Sequence, residues 1–241
     1  MDTPLNQPTA RQISLAITHY NRFDMVVESF AQVIDDSRIA EIVISDDCSK
    51  DGSLEKLKKF FLPWKKVHVR SNRVNMDCYR NKREAVLHCS LDWVLLLDSD
   101  NILSKDYLDK LYNIPQWDSS VFYCPVMAAP HFDYTKFAGL EVSKRNVSKY
   151  LRTPMFECAL NTANYFFHRE GYLKVWDGNI NPHTSDTIYQ TKNWLGYGGK
   201  LFFVPGMGYK HRVHPGSHYK QNKHKTGDFH RKVLGMLLAM S

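Results

Sequence analysis

The chain has 241 residues, a formal net charge of +7 and 43% apolar residues, the make-up of a globular protein able to bury a sizeable core. No apolar run approaches the roughly 18 residues of a membrane span, and the polar, proline-bearing start "MDTPLNQPTARQ" does not read as a secretory signal. Five cysteines without a CxxC pair argue against a disulfide framework or a zinc ribbon and predict a reducing, cytoplasmic setting.

Taken in chain order, strand-like and helical stretches alternate. Ile13–Thr18 predicts a strand, Arg22–Asp36 a helix, Glu41–Ser45 a second strand, Ser53–Phe61 a helix, Lys66–Arg70 a third strand and Cys78–Ser90 a third helix. The run "WVLLLD", Trp93–Asp98, is continuous rather than alternating, as suits a central strand covered on both faces. This order predicts an α/β fold, a mostly parallel, Rossmann-like central sheet with helices on both faces. Further on, Ser120–Met127 predicts a fifth strand, and the polar stretch Ala128–Pro154 reads as a substrate loop or an insertion. "NTANYFFHRE" predicts a strand turning into a helix, Ser185–Gly199 a helix with a glycine stop, Lys200–Gly206 a strand, and Phe229–Met240 a last helix packed back on the sheet. With no repeat, low-complexity run or linker, one domain over 1–241 is expected.

Charge is unevenly placed. Tyr209–Lys232 carries seven Lys/Arg against one acid, and five of the eleven histidines. Such a segment predicts an anionic ligand. A phosphorylated small molecule fits better than nucleic acid, because no recognition helix, zinc finger or RNP-type aromatic motif accompanies the charge. With Pro215, Gly216 and few apolar anchors, His211–Thr226 reads as a loop that would close over a bound diphosphate.

Open α/β sheets bind ligands beyond the carboxyl ends of their strands. The first strand here ends in "THYNR", the second in "DDCSKDGS" and the fourth in "DSDN". Neither GxGxxG after the first strand nor GxxxxGK[ST] anywhere is present, which excludes the usual dinucleotide and P-loop arrangements. A haloacid-dehalogenase-type phosphatase also places DxD after a strand, but its nucleophile loop belongs near the N-terminus. Tyr20 could stack on a base, Asp47 could accept hydrogen bonds from a base imide or ribose hydroxyl, and Asp98 and Asp100 suit a hard divalent cation. Two carboxylates so close repel, so they need a Lys, an Arg or a cation beside them. Each residue alone has a plainer reading: Tyr20 as packing, "DDCSKDGS" as a helix cap, His19, His68 and His88 as ordinary core or surface histidines.

In order along the chain, "ISLAITHYNR", "EIVISDDCSKDGS", the spacing of Asn75-Met76-Asp77 and Lys82-Arg83, and "WVLLLDSDN" resemble the nucleotide-sugar half of a GT-A glycosyltransferase of the family 2 type. The resemblance is close over Ile13–Leu103 and looser over Asn161–Tyr219. It implies that residues 1–103 hold the donor and 104–241 form the acceptor side with the basic segment. Thr18, Tyr20 and Asp47 fall where such enzymes grip base and ribose, and Lys82 falls where many have an arginine near the donor. Arg22, Ser99, His214, Ser217 and Tyr219 join the implied donor-binding set. Asp98 and Asp100 match the DxD motif, with Asp100 reaching the metal, and His211 lies where metal-dependent members bring a further ligand. Asp186 stands in the place of the usual Glu-Asp pair, Ser185 replacing the glutamate, and is the implied general base. "HRVHPGSHY" also resembles the donor-covering loop of polypeptide N-acetylgalactosaminyltransferases. The QxxRW motif of processive synthases is absent, so a single addition is expected.

The resemblance thus implies a Mn²⁺- or Mg²⁺-dependent, inverting transfer from a nucleotide-diphospho sugar, with UDP the expected nucleotide, to a hydroxyl on a glycan, lipid or protein. No nucleic acid and no membrane span are expected, which leaves room for peripheral membrane contact. The rival readings are a non-catalytic nucleotide-sugar or glycan-binding module, and a nucleotidyltransferase. The latter wants a glycine-rich basic loop where this chain has "THYNRFD".

Overall fold

The computed structural model describes residues 11–214 and 217–240, apart from the side chains of 218–226. β1 (Ile13–His19) and β2 (Ile39–Asp46) are almost wholly buried, with α1 (Phe23–Ser29) between them. α2 (Ser53–Phe60), β3 (Val67–Ser71), α3 (Asp77–Leu87) and β4 (Trp93–Asp98) complete the alternating half. β1 pairs in parallel with β2 on one side and β4 on the other, and β2 pairs in parallel with β3. Residues Val94 to Leu97 are at most 1% exposed, which is why that run carries no polar alternation.

α1 stops at Ser29, short of the expected Asp36. Val33 and Asp36 then donate to the carbonyls three residues earlier, so tighter turns bury Phe30 and Val33. After α4 (Lys105–Tyr112), the expected fifth strand divides at Pro125 into β5 (Val121–Cys124) and β6 (Met127–Ala129), which join different sheets. Proline has no N–H for a ladder, so the break falls there. The stretch expected to be irregular holds β7 (Phe132–Asp133), β8 (Glu141–Ser143) and α5 (Val147–Tyr150), followed by α6 (Phe156–Leu160).

β9 (Phe166–His168) enters antiparallel between β4 and β5 and leads into α7 (Arg169–Lys174). α8 (Asp186–Tyr197) ends at Gly198, whose φ of 106° is the left-handed stop read from "GYGG". β10 (Lys200–Phe203) lies parallel to β5 and antiparallel to β8, and β11 (Gly208–Lys210) runs parallel to β6. The main sheet has the order β3-β2-β1-β4-β9-β5-β10-β8, so it is mostly parallel with β9 and β8 reversed.

α9 (His218–Leu238) begins well before the expected Phe229. Lys and Gln favour a helix even where no apolar stripe announces one, so most of the expected loop His211–Thr226 is helical. The helix packs chiefly against α8, α5 and the short 3₁₀ turn His183–Ser185, not on the sheet as expected. Phe229 meets the Tyr189 ring edge-on at 5.4 Å, and Val233 and Leu237 are buried. No helix among the described residues is long and apolar enough to cross a membrane.

Candidate functional site

The parallel register sets Thr18 opposite Ser45 on β2 and Asp98 on β4, so the carboxyl ends of three strands meet at one level. Thr18 donates its hydroxyl to Asp98 Oδ1 at 3.2 Å. Asn164, at φ 66°, accepts the Asp98 backbone N–H at 2.8 Å. Asn21, Cys48 and Asp77 also hold positive φ, in the turns leaving β1, in β2's exit loop and at the start of α3. Such strain is held where surrounding structure over-determines it. These ends open into a cavity of about 1150 Å³. Its walls include Thr18, Tyr20, Arg22, Asp47, Lys82, Asp98, Ser99, Asp100, Asp186, His211 and Ser217. His214 reaches Asp100 with its side chain, whereas the side chain of Tyr219, on α9, lies outside the described residues.

Each of the adjacent carboxylates has its own basic partner, as their mutual repulsion requires. Lys82, on α3, lies 2.7 Å from Asp186 and 3.3 Å from Asp98, and its side chain is only 7% exposed. Burial works to lower the Lys82 pKa, but Asp186 and Asp98 outweigh it and hold the ammonium well above its ordinary value. Burial raises the Asp98 pKa, with Lys82 opposing and Asp100 adding. Asp100 Oδ2 receives Arg22 at 2.9 Å and lies 3.2 Å from His214 Nε2. For Asp100 burial acts upward, yet the His214 contact and the Arg22 charge bring its pKa below the usual carboxylate range.

Removing the Lys82 charge strands the buried Asp186 and the part-buried Asp98. Lys82→Met is expected to destabilise the fold by about 3–5 kcal/mol, the usual cost of breaking a buried pair from one side. Urea unfolding of parent and variant measures this; an unchanged midpoint would mean that solvent already screens the triad.

Asp47 is 3% exposed, and burial raises its pKa even though Asn72 and the Met76 N–H donate to Oδ1 at 2.9 and 2.8 Å. It therefore fixes the loop before α3 as well as facing the cavity. Tyr20 lines the cavity and is 38% exposed. Ser99 is buried, and its Oγ has no hydrogen-bond partner among the described residues.

Among the described residues no three His, Cys, Asp or Glu side chains converge to hold a metal ion. Mg²⁺-like cations do not require three, since they take one or two carboxylates and complete the shell with substrate phosphates and water. The donor set of Asp100, Asp98 and an imidazole fits Mn²⁺ or Mg²⁺ on that basis. His214 is the imidazole in contact with Asp100, whereas His211 places Nδ1 3.0 Å from His131 Nδ1. Burial, then His131, lowers the His211 pKa, against a weaker upward pull from Asp100.

Several residues that hold the site together went unread in the sequence. Arg212 donates to the carbonyls of Asp100 (2.6 Å), Ser99 (3.1 Å) and Met25 (2.8 Å), and pairs with Glu28. It clamps the "DSDN" turn, a role hidden in a segment read only as basic charge. Asn81 is buried; its Nδ2 donates to Ser45 O at 3.0 Å, and its Oδ1 accepts Ser45 Oγ at 2.8 Å and Asn72 Nδ2 at 3.0 Å. Nothing in the local pattern marks it. Ser185 Oγ lies 3.0 Å from His230 Nδ1, and His230 Nε2 is 2.5 Å from Glu157, which ties α9 to the turn just before Asp186.

His19 is 1% exposed, with Nε2 2.9 Å from Ser53 Oγ. Burial lowers its pKa from 6.5 to about 4, against an upward pull from Asp46. The unfolded chain thus binds a proton that the folded one refuses between those values. Stability from this residue is complete above pH 6.5 and is lost as pH falls towards about 4. Thermal melts across that window are expected to slope downward with acid, and His19→Gln to flatten the slope.

The open, mostly parallel sheet covered by helices matches the GT-A fold of solved glycosyltransferases. The family model described as "Glycosyl transferase family 2" matches residues 14–177, and the chain belongs to that family. The cholesterol galactosyltransferase of Borreliella burgdorferi is 23% identical over 177 residues, covering 69% of this chain and 47% of that protein. The chain thus spans about half the length of that relative. TarS 1–349 of S. aureus, in complex with UDP-GlcNAc, superposes with TM-score 0.71 at 16% identity, over 93% of this chain and 66% of that one. The mannosyltransferase PcManGT of Pyrobaculum calidifontis, with GDP-Man and Mn²⁺, gives 0.69 at 14% identity, over 95% and 69%.

Proposed function

We propose that this chain transfers one sugar from a nucleotide-diphospho sugar, with UDP as the nucleotide, to a hydroxyl of a glycan, lipid or protein acceptor. The configuration at the anomeric carbon inverts. The observation that carries this reading is that one cavity is lined by Asp98, Asp100 and Asp186 together, with the Lys82 ammonium bridging Asp98 and Asp186. Residues 1–103 hold the donor in this reading, and 104–241 supply the base and the acceptor face.

Tyr20 stacks on the base, and Asp47 accepts hydrogen bonds from its imide or from ribose. Thr18 and Asp98 border the ribose. Asp100 and His214, with Asp98 behind them, would hold Mn²⁺ or Mg²⁺ against the diphosphate. When bound, the cation neutralises the charge that grows on the leaving phosphate. Arg22 adds positive charge at the same point, already oriented by Asp100. Asp186 takes the proton of the acceptor hydroxyl as that oxygen attacks. In this reading the acceptor oxygen attacks the anomeric carbon opposite the departing phosphate, so attack and departure are in line.

Titrating the protein with a panel of nucleotide sugars and Mn²⁺, and following both thermal shift and release of nucleoside diphosphate, tests the reading. A UDP-sugar is expected to raise the melting temperature and to be slowly hydrolysed without acceptor. No shift and no release with any donor would overturn it. A shift without release or transfer would leave a binding module that keeps the fold.

A further inference from the structure

The segment Lys56–Lys66, "KLKKFFLPWKK", carries five lysines and no acid around Phe60, Phe61, Leu62 and Trp64. The fold uses only part of it. Leu57 and Phe61 enter the core, and the Lys66 ammonium donates to the carbonyls of Asp36 and Ile39. The remainder faces outward: Leu62 is 81% exposed and Phe60 41%, with Lys56, Lys58, Lys59 and Lys65 exposed around them. Phe60 lies face-on to Trp64 at 6.0 Å and meets Phe23 edge-on at 5.8 Å. Trp64 is anchored by its Nε1–H to Asp35 at 3.3 Å.

One exposed leucine needs no explanation. An apolar knob braced by aromatic stacking, with exposed lysines on both sides of it in the chain, is a different case, because its two halves call for different surroundings. The lysines gain from anions, and Leu62 and Phe60 gain from leaving water. A polyanion in water satisfies the first need alone. A bilayer surface with anionic headgroups satisfies both at one depth, with phosphates at the level of the ammonium groups and acyl carbons just beneath.

We propose that the turn between α2 and β3 docks this chain on an anionic lipid surface. Phe60 and Leu62 enter the headgroup region, Trp64 sits at the interface, and Lys56, Lys58, Lys59 and Lys65 bind lipid phosphate. Phe23, which braces Phe60, follows Arg22, whose guanidinium bonds Asp100. The docking surface and the donor side of the cavity therefore share α1. This inference does not depend on the transfer reaction proposed above.

Flotation with lipid vesicles tests it. The protein is expected to float with vesicles of phosphatidylglycerol and phosphatidylcholine, to stay behind with pure phosphatidylcholine, and to detach as salt screens the lysines. Leu62→Glu and the double change Lys58→Glu/Lys59→Glu are each expected to lower partition by roughly tenfold or more. Lys144→Glu/Arg145→Glu serves as the control of equal charge: it follows β8, at the opposite edge of the sheet from β3, and both residues are exposed. It is expected to change partition by less than about twofold. Because Leu62 is so exposed, its replacement leaves the core intact, and circular dichroism melts check this. No flotation with anionic vesicles overturns the proposal. So does parental flotation of Leu62→Glu, which would assign binding to the basic segment Tyr209–Lys232 instead. Equal losses in the control pair would reduce the effect to net charge and overturn it as well.

Discussion

Asp100→Ala is expected to lower sugar transfer by about 10²–10³-fold or more, the scale seen when a single stabiliser of developing charge is removed. The alanine takes away the carboxylate that Arg22 and His214 both face, at 2.9 and 3.2 Å. Two consequences follow from that geometry. The divalent cation loses a carboxylate that one or two such groups must supply. Arg22 also loses the partner that aims it, so its charge no longer meets the leaving diphosphate in a fixed direction. Raising Mn²⁺ should not restore turnover. Initial rates over a Mn²⁺ titration, for parent and variant, check this. Full activity of the parent in excess EDTA would remove the metal from the mechanism.

Asp186→Asn is expected to lower transfer by about 10²–10⁴-fold while leaving donor affinity close to that of the parent. The amide keeps the volume at the start of α8 but cannot take a proton from the acceptor. It also removes the negative charge paired with Lys82 at 2.7 Å, leaving Asp98 at 3.3 Å as the remaining carboxylate against a buried ammonium. A drop in stability therefore accompanies the loss of rate, and the two must be read separately. Donor affinity from thermal shift, kcat for transfer and the unfolding midpoint together do this. A lower midpoint with parental kcat would make Asp186 a structural partner of Lys82 and nothing more.

Much of the amino-terminal half was legible because its signals are local. An apolar run ending abruptly in carboxylates marks a buried strand and its exit, as with Leu95–Asp98 and Val43–Asp46. Glycine after a helical pattern marks a stop, as Gly198 does. The carboxy-terminal half was harder. Phe166–His168 inserts antiparallel between strands that precede and are far from it in the chain, and no local pattern chooses that slot. α9 begins in a run of Lys, His, Asn and Gln whose charge looked like a loop, because its packing residues Phe229, Val233 and Leu237 come only near its end.

The amino-acid sequence by itself determined the strands that form the floor of the site and the residue types at their ends. Alternation, apolar runs and turn residues act within a few positions of themselves, so they can be read one segment at a time. The tertiary structure alone decided which charges meet. Lys82 is 104 residues from Asp186, Arg22 is 78 from Asp100, and His214 is 114 from Asp100. Those pairings depend on the order of strands in the sheet and on the rotation of α3 above it. That is why two carboxylates whose partners are not adjacent in the chain stand in the fold among Lys82, Arg22 and His214, and why His214, rather than His211, contacts Asp100.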